Sequence, residues 1–363
     1  MSDLDEAINL HQAALALHPP GHSDQFMSLK NLASNLWDRF NQQGVLSDLD
    51  ETINLEQAAL ALCPPGHSDR FMSLKNLAIS LRVRFDQGGV LSDLDVAIDL
   101  HRAALVLCPP GHSDQSMTLN NLANSLETRF NQQGVLSDLE EAIDLNRAAL
   151  ALRLPGHSDR SMSLNNLGSN LQVRFNQQGV FSDLDEAIDL HQAALALCPP
   201  GHSGRILSLN NLANSLRVRC NQHGVLSDLD EAIDLHRAAL ALCPPGHSGQ
   251  FPSLNNLAIS LHVRFDRRGV LSDLDEAIDL HRAALALCPP GHSNQSISLN
   301  NLATILWVRF KQRHVLSDLD EAIDLHRAAL ALYPLAIMVD PCVSTTLPAV
   351  LGSDLTSEVF CLT

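Results

Sequence analysis

The sequence repeats itself at a fixed interval, and that interval limits its possible folds more than any other feature. The glycine of Pro-Gly-His falls at Gly21, Gly66, Gly111, Gly156, Gly201, Gly246 and Gly291, always 45 residues apart. The aspartate of Ser-Asp-Leu falls at Asp3, Asp48, Asp93, Asp138, Asp183, Asp228, Asp273 and Asp318, with the same step. One unit therefore recurs without insertion over roughly 330 residues. A unit this short has no core of its own. It buries its apolar face only by stacking on its neighbours, so a solenoid is expected.

Each unit reads as two helices. In the copy from Ser203 to Pro245, Leu209, Leu212, Ala213, Leu216 and Cys220 form one apolar stripe on a 3.6-residue period. Gly224 follows the stripe, where a left-handed cap residue is expected. The second helix is expected to open on Ser227 as N-cap, with Asp228, Asp230 and Glu231 at the positive end of its dipole. Its apolar positions are Leu229, Ala232, Ile233, Leu235, Ala239, Leu240 and Leu242. Pro244-Pro245 stops it, because proline lacks the N–H and disfavours helix in the residue before it. Across the copies, second helices are expected to start near Ser2, Ser47, Ser92, Ser137, Ser182, Ser227, Ser272 and Ser317. First helices are expected near Ser23, Ser68, Ser113, Ser158, Ser203, Ser248 and Ser293. The array spans 1–333, and 334–363 reads as an irregular, non-repeat tail.

This pattern resembles the tetratricopeptide repeat. Leu164, Leu167, Gly168 and Leu171 match that family's first-helix positions, and Ala187, Ala194 and Pro199 match the second. The family's unit is about 34 residues. Longer stretches from Leu164 to Ala187 and from Pro199 to Leu209 account for the period of 45. The expanded form is similar to repeats of fungal proteins and of kinesin light chains. The resemblance implies an all-α, right-handed superhelical solenoid of antiparallel helix pairs, with about 15 helices. The sequence departs from the family at the second-helix aromatic, replaced by His191 and its equivalents, with Glu56 and Asn146 in two copies. Leucine replaces the first-helix aromatic throughout.

The net charge is −17. Phosphate backbones are held by Lys and Arg, so nucleic acid is an unsuitable partner, whereas a partner with basic segments suits the charge. Met1-Ser2-Asp3-Leu4-Asp5 has neither the basic nor the apolar region of a secretory signal. The longest apolar run, roughly 328–339, contains Pro334 and falls short of the ~20 residues of a spanning helix. These features lead us to expect a cytoplasmic chain without a membrane partner, its eight cysteines reduced. Neither end reads as the polar capping helix that a solenoid uses. That suggests either a piece of a longer protein or an array that self-associates through its ends.

Cys63–Asp69 and Cys108–Asp114 both read Cys-Pro-Pro-Gly-His-Ser-Asp, which sets a thiol near an imidazole. Across the copies the thiol's slot holds His18, Cys63, Cys108, Arg153, Cys198, Cys243, Cys288 and Tyr333. Arginine and tyrosine do not replace a zinc thiolate or a nucleophile. One Cys and one His per copy also fall short of a four-ligand site. No catalytic residue, metal or cofactor is expected. The segment reads instead as a helix stop, a turn and a helix start, with Ser113 as N-cap. A disulfide ladder is not expected, because packed helices lie ~8–10 Å apart and a bridge needs Cα atoms within ~7 Å. The recurrent Arg39, Arg84, Arg129, Arg174, Arg219, Arg264 and Arg309 can complement the helix dipole or pair with a carboxylate of the acidic helix start. His101, His191, His236, His281 and His326 are expected to wedge between helices.

The asparagines carry the functional signal. First helices hold Asn120-Asn121, Asn165-Asn166, Asn210-Asn211, Asn255-Asn256 and Asn300-Asn301, with Lys30-Asn31 and Lys75-Asn76 in the first two copies. Asparagine is a poor helix former, but its amide can both donate to and accept from an extended backbone. In the resembled family, first helices line a concave groove where asparagines and lysines grip peptides. The resemblance implies a ladder of Lys30, Lys75, Asn120, Asn165, Asn210, Asn255 and Asn300. Alternatively the asparagines bond between repeats, and with two per copy both roles can coexist. A further slot varies freely through Trp37, Arg82, Glu127, Gln172, Arg217, His262 and Trp307, and its neighbour through Ser34, Ile79, Asn124, Ser169, Asn214, Ile259 and Thr304. Trp37, Arg82, Arg217 and Trp307 join the candidate ligand contacts, the two tryptophans as anchors. The expected function is a non-catalytic scaffold that binds peptides or proteins. The alternative is a regulatory region of a larger signalling enzyme, of the CHAT-peptidase or NTPase type.

Overall fold

The computed structural model describes residues 3–18, 24–109, 111, 114–244, 246, 247, 249–288 and 293–332. The tail at 334–363, Tyr333 and the Ser113 N-cap expectation lie outside them. The described residues form fifteen α-helices and no strand. A lone second helix, α1 (Asp3–Ala16), comes first. First helices are α2 (Gln25–Gln43), α4 (Arg70–Gly88), α6 (Gln115–Gln133), α8 (Arg160–Gln178), α10 (Arg205–His223), α12 (Gln250–Arg268) and α14 (Ser293–Arg313). Second helices are α3 (Leu46–Ala61), α5 (Leu91–Leu107), α7 (Leu136–Leu152), α9 (Phe181–Ala196), α11 (Leu226–Ala241), α13 (Leu271–Ala286) and α15 (Leu316–Ala331).

A glycine in the left-handed region ends most first helices. Gly134 has φ 72°, and its N–H closes the last turn on the Phe130 carbonyl at 2.7 Å. Only glycine adopts this conformation cheaply. His314 stands in that position after α14 with φ 55°, the one described non-glycine residue with positive φ. One extended residue follows, and the second helix begins. That residue changes the expected cap. Ser227 is not the N-cap of α11; Val225 is, with φ −76° and ψ 96° and no side-chain bond. The two-residue Gly-Val connection starts the helix at Leu226, so Ser227 already lies in the first turn. First helices likewise begin two residues beyond Ser68 and Ser158, after Asp69 and Asp159.

The core is assembled between units. Phe85, Leu94, Ile98, Leu122, Ala123, Leu126 and Ala142 form one buried cluster drawn from α4, α5, α6 and α7. Forty-five residues on, Phe130, Leu139, Ile143, Leu167, Leu171 and Ala187 form the next. Helices α2, α4, α6, α8, α12 and α14 each pack most extensively on the second helix after them and less on the one before. Removing one helix pair would therefore expose apolar faces on both neighbours. The chain divides into two compact units, Met1–Ser215 and Leu216–Thr363. Both are built in this way. In the second, Leu257, Leu261, Ile278 and Leu306 belong to one continuous cluster with Cys220 and Ile233.

Candidate binding surface

The recurrent arginine is an architectural clamp. Arg129 Nε donates to Asp138 Oδ2 at 2.7 Å and its Nη2 to Asp138 Oδ1 at 2.9 Å, a bidentate pair. Its Nη1 reaches Asp95 of the preceding unit at 3.1 Å. The same fork joins Arg39 to Asp48 and Asp5, Arg84 to Asp93 and Asp50, and Arg309 to Asp318 and Asp275. These aspartates raise the arginine pKa values further above their usual range. A second row joins successive second helices, where Arg102 meets Glu141, Arg147 meets Glu186 and Arg237 meets Glu276. The acidic residues at the helix starts are thus occupied in holding units together.

The thiol and imidazole of the linker have local partners too. Cys63 Sγ lies 3.9 Å from Ser73 Oγ and Cys198 Sγ 3.7 Å from Ser208 Oγ, and both cysteines are buried. Burial raises the Cys108 thiol, which keeps it protonated and unreactive. Arg153 occupies the same slot at 1% exposure and donates to Ser116, Ser163 and the Asp159 carbonyl. The linker histidines accept the backbone N–H two residues on, His67 from Asp69, His157 from Asp159 and His202 from Gly204. That bond fixes the turn. Among the described residues no group of three or more His, Cys, Asp or Glu could hold a metal ion. No described helix is long and apolar enough to cross a membrane.

The asparagine pair divides. Its first member turns between units. Asn120 Nδ2 donates to Ser163 Oγ at 3.1 Å, and Asn165 Nδ2 donates to Ser208 Oγ at 2.8 Å. The Asn165 carbonyl also meets His191 Nδ1 at 3.1 Å. Lys75, in the same slot, is buried and pairs with Asp114 of the next unit at 3.5 Å. Asn210 is buried, while Lys30, Asn255 and Asn300 are half-buried. Asn255 accepts from Asn301, and Asn300 meets His326. The amides of Asn120 and Asn165 are therefore engaged between repeats, as the ammonium of Lys75 is. The second member is the less enclosed one in the first five pairs: Asn31 is exposed, and Asn76, Asn121, Asn166 and Asn211 are half-buried. In the last two pairs the difference is absent, since Asn256 is half-buried like Asn255 and Asn301 donates back to Asn255. The sequence carried a signal for this split: on a helix, adjacent residues do not share a face.

The variable slot is part of a buried polar triple. Its counterparts lie on the second helix that follows and on the next first helix. Trp37, Glu56 and Ser80 line one cleft. Arg82 lies near His101, and Glu127 and Asn146 both bond to Asn170. Asn146 Nδ2 donates to Asn170 Oδ1 at 2.5 Å, and Ser215 Oγ donates to Gln172 Oε1 at 2.6 Å. In the second unit Arg217, half-buried, adjoins His236, and burial lowers both their pKa values. Trp307 is half-buried against Phe310, with ring centroids 5.6 Å apart. Burial likewise lowers His101, His191 and His281 to about 4, so they are neutral at pH 7. The third slot, from Ser80 through Ser125, Asn170 and Ser215, escaped sequence reasoning. Its signal was variation at the same fixed spacing as the other two slots.

The sequence profile of the tetratricopeptide repeat matches residues 116–159. No curated protein matches the chain significantly. Among solved structures, the chain is similar to the nearly identical TPR-like repeats assigned to a kinesin light chain in Podosopora anserina. That match has 19% identity and a TM-score of 0.43, covering 61% of this chain and 97% of that one. BtubC from P. vanneervenii shares 18% identity at a TM-score of 0.45, covering 67% and 91%. The apo form of the quorum sensor NprR from B. thuringiensis shares 12% identity at a TM-score of 0.56, covering 91% and 82%. The NprR likeness is one of fold. The unit at 116–159 thus matches the tetratricopeptide repeat, and the other units repeat its sequence at 45-residue steps.

Proposed function

We propose that the array is a protein-interaction scaffold that holds an extended peptide segment along the outward asparagines of its first helices. The observation that carries this reading is the open row Asn31, Asn76, Asn121, Asn166 and Asn211, one per unit and none buried. Neighbouring helices pack about 8–10 Å apart, close to the length of three residues of extended chain at about 3.3 Å each. An asparagine in each unit then meets every third peptide residue, donating and accepting at once. Backbone recognition of this kind tolerates many sequences, and specificity falls to the variable side chains beside the row, Trp37 and Arg82 among them. The charge of −17 favours a segment with basic residues. Tetratricopeptide repeats are typically interaction scaffolds, and the reading needs no catalysis.

Peptide-display selection against the intact chain tests it. Selected peptides of about 12–15 residues should bind the parent protein and lose at least tenfold in affinity when Asn76, Asn121 and Asn166 are all changed to alanine. Binding that survives the triple change, or no selected peptide at all, overturns the reading.

A further inference from the structure

One cleft differs from its equivalents in other units. It lies between α2, α3 and α4, has a volume of about 290 Å³, and is lined by Lys30, Trp37, Glu56, Asn76, Ile79 and Ser80 among others. Its size is at the lower end for ligand pockets, about 300 Å³, which suits a single side chain better than a cofactor. In the other units the Glu56 position holds histidine or asparagine, and tryptophan recurs only at Trp307, opposite His326. The combination of an indole with a carboxyl therefore occurs once.

The carboxyl is poorly provided for. Glu56 Oε2 is buried and has no hydrogen-bond partner. Burial raises its pKa to about 7, with Ser80 acting the other way. Lys30 lines the same cleft but has no part in the Glu56 shift, which burial and Ser80 set; its ammonium lies 5.9 Å from the Phe26 ring centroid, one turn back along α2. A buried carboxylate without a counterion is costly. A cation brought from outside would remove that cost, and the face of an indole is the best aromatic surface for one.

We propose that this cleft receives a primary ammonium on an alkyl stem, carried by a lysine of the bound segment, with Glu56 as its counterion and Trp37 as its wall. The lysine as carrier rests on the peptide-binding reading above; the ammonium site itself rests on the cleft. Asn76 of the open row also lines it, so a segment following that row passes its mouth. Ile79 offers an apolar surface to the stem.

The chain has two tryptophans, so two indole N–H signals report on the site. In the intact chain, n-butylammonium should shift the Trp37 signal and leave Trp307 in place, while n-butanol, its neutral counterpart, should shift neither. Glu56→Gln should weaken n-butylammonium at least tenfold. Glu56→His, which installs the residue of the other units, should fold and also lose binding. Equal shifts by n-butanol, equal movement of Trp307, or undiminished binding by both variants overturn the proposal. A lysine-containing peptide from the display selection completes the test. Acetylation of its lysine should cost at least tenfold in the parent protein and little in Glu56→Gln. Indifference to acetylation overturns the lysine assignment and leaves the asparagine row standing. Binding of n-butylammonium at Trp37 with no peptide captured supports the ammonium site and overturns both the lysine carrier and the peptide reading.

Discussion

The arginine clamp and the polar triple are built on the same helices, yet the arginine's bond to the following aspartate recurs from unit to unit while the triple changes. The clamp sits by the Gly-Val connection, where Arg129 grips Asp138 and Asp95 at once. The triple lies midway along the helices, where Trp37, Glu56 and Ser80 can be exchanged for Arg82, His101 and Ser125 without altering the backbone period. The clamp sets architecture, and the triple gives each unit its individuality.

Acid should separate the two most strongly. His101, His191, His236 and His281 are held at about 3 to 4 by burial, against an ordinary 6.5. The unfolded chain binds the proton first, so their contribution is full above 6.5 and is lost as pH falls through 4. Each site should lose about 3 kcal/mol over that range. Urea unfolding between pH 7 and pH 4 measures this. His101→Asn, which copies the natural Asn146, should lose correspondingly less on acidification; an unchanged pH slope would remove His101 from the account. At the clamp, Asp138→Ala leaves Arg129 without its bidentate partner and should lower stability by about 3 kcal/mol, read from the urea midpoint at pH 7. A loss below about 1 kcal/mol would reduce the clamp to an ordinary surface pair.

Glu56 gives a smaller effect of opposite sign. Its pKa is raised from 4.5 to about 7, so its contribution is full below 4.5 and is lost as pH rises through 7. Glu56→Gln should therefore gain about 2 kcal/mol on the parent protein between pH 5 and pH 8, measured by thermal or urea unfolding at both values. Smallest is the exception on the clamp side. His314 holds φ 55° where other units have glycine, and His314→Gly should stabilise by about 1 kcal/mol, visible as a small rise in the melting temperature.

The helix pairs were legible because period and stripe agree: Leu164, Leu167 and Leu171 recur in every copy and all are buried. The left-handed glycine at Gly224 was legible for the same reason, since only backbone conformation demands it. The helix start was misplaced onto Ser227 because a capping residue by type lay one residue past Leu226, where the two-residue connection begins the helix. The site was half legible. The Asn-Asn motif stood out, but which of two adjacent amides faces outward depends on the neighbouring unit, and Ser163 and Ser208 settle it only once the units are stacked. The triple was harder, because its members lie on three different helices.

If neighbouring asparagines on one helix do different work, paired unfolding and binding measurements on Asn165→Ala and Asn166→Ala separate their roles. Asn165→Ala should lose about 1 kcal/mol or more of stability, because Ser208 and His191 each lose a partner. Asn166→Ala should stay within about 0.5 kcal/mol of the parent protein and weaken capture of a selected peptide. The reverse pattern, with Asn166 governing stability and Asn165 governing capture, would contradict this division of roles.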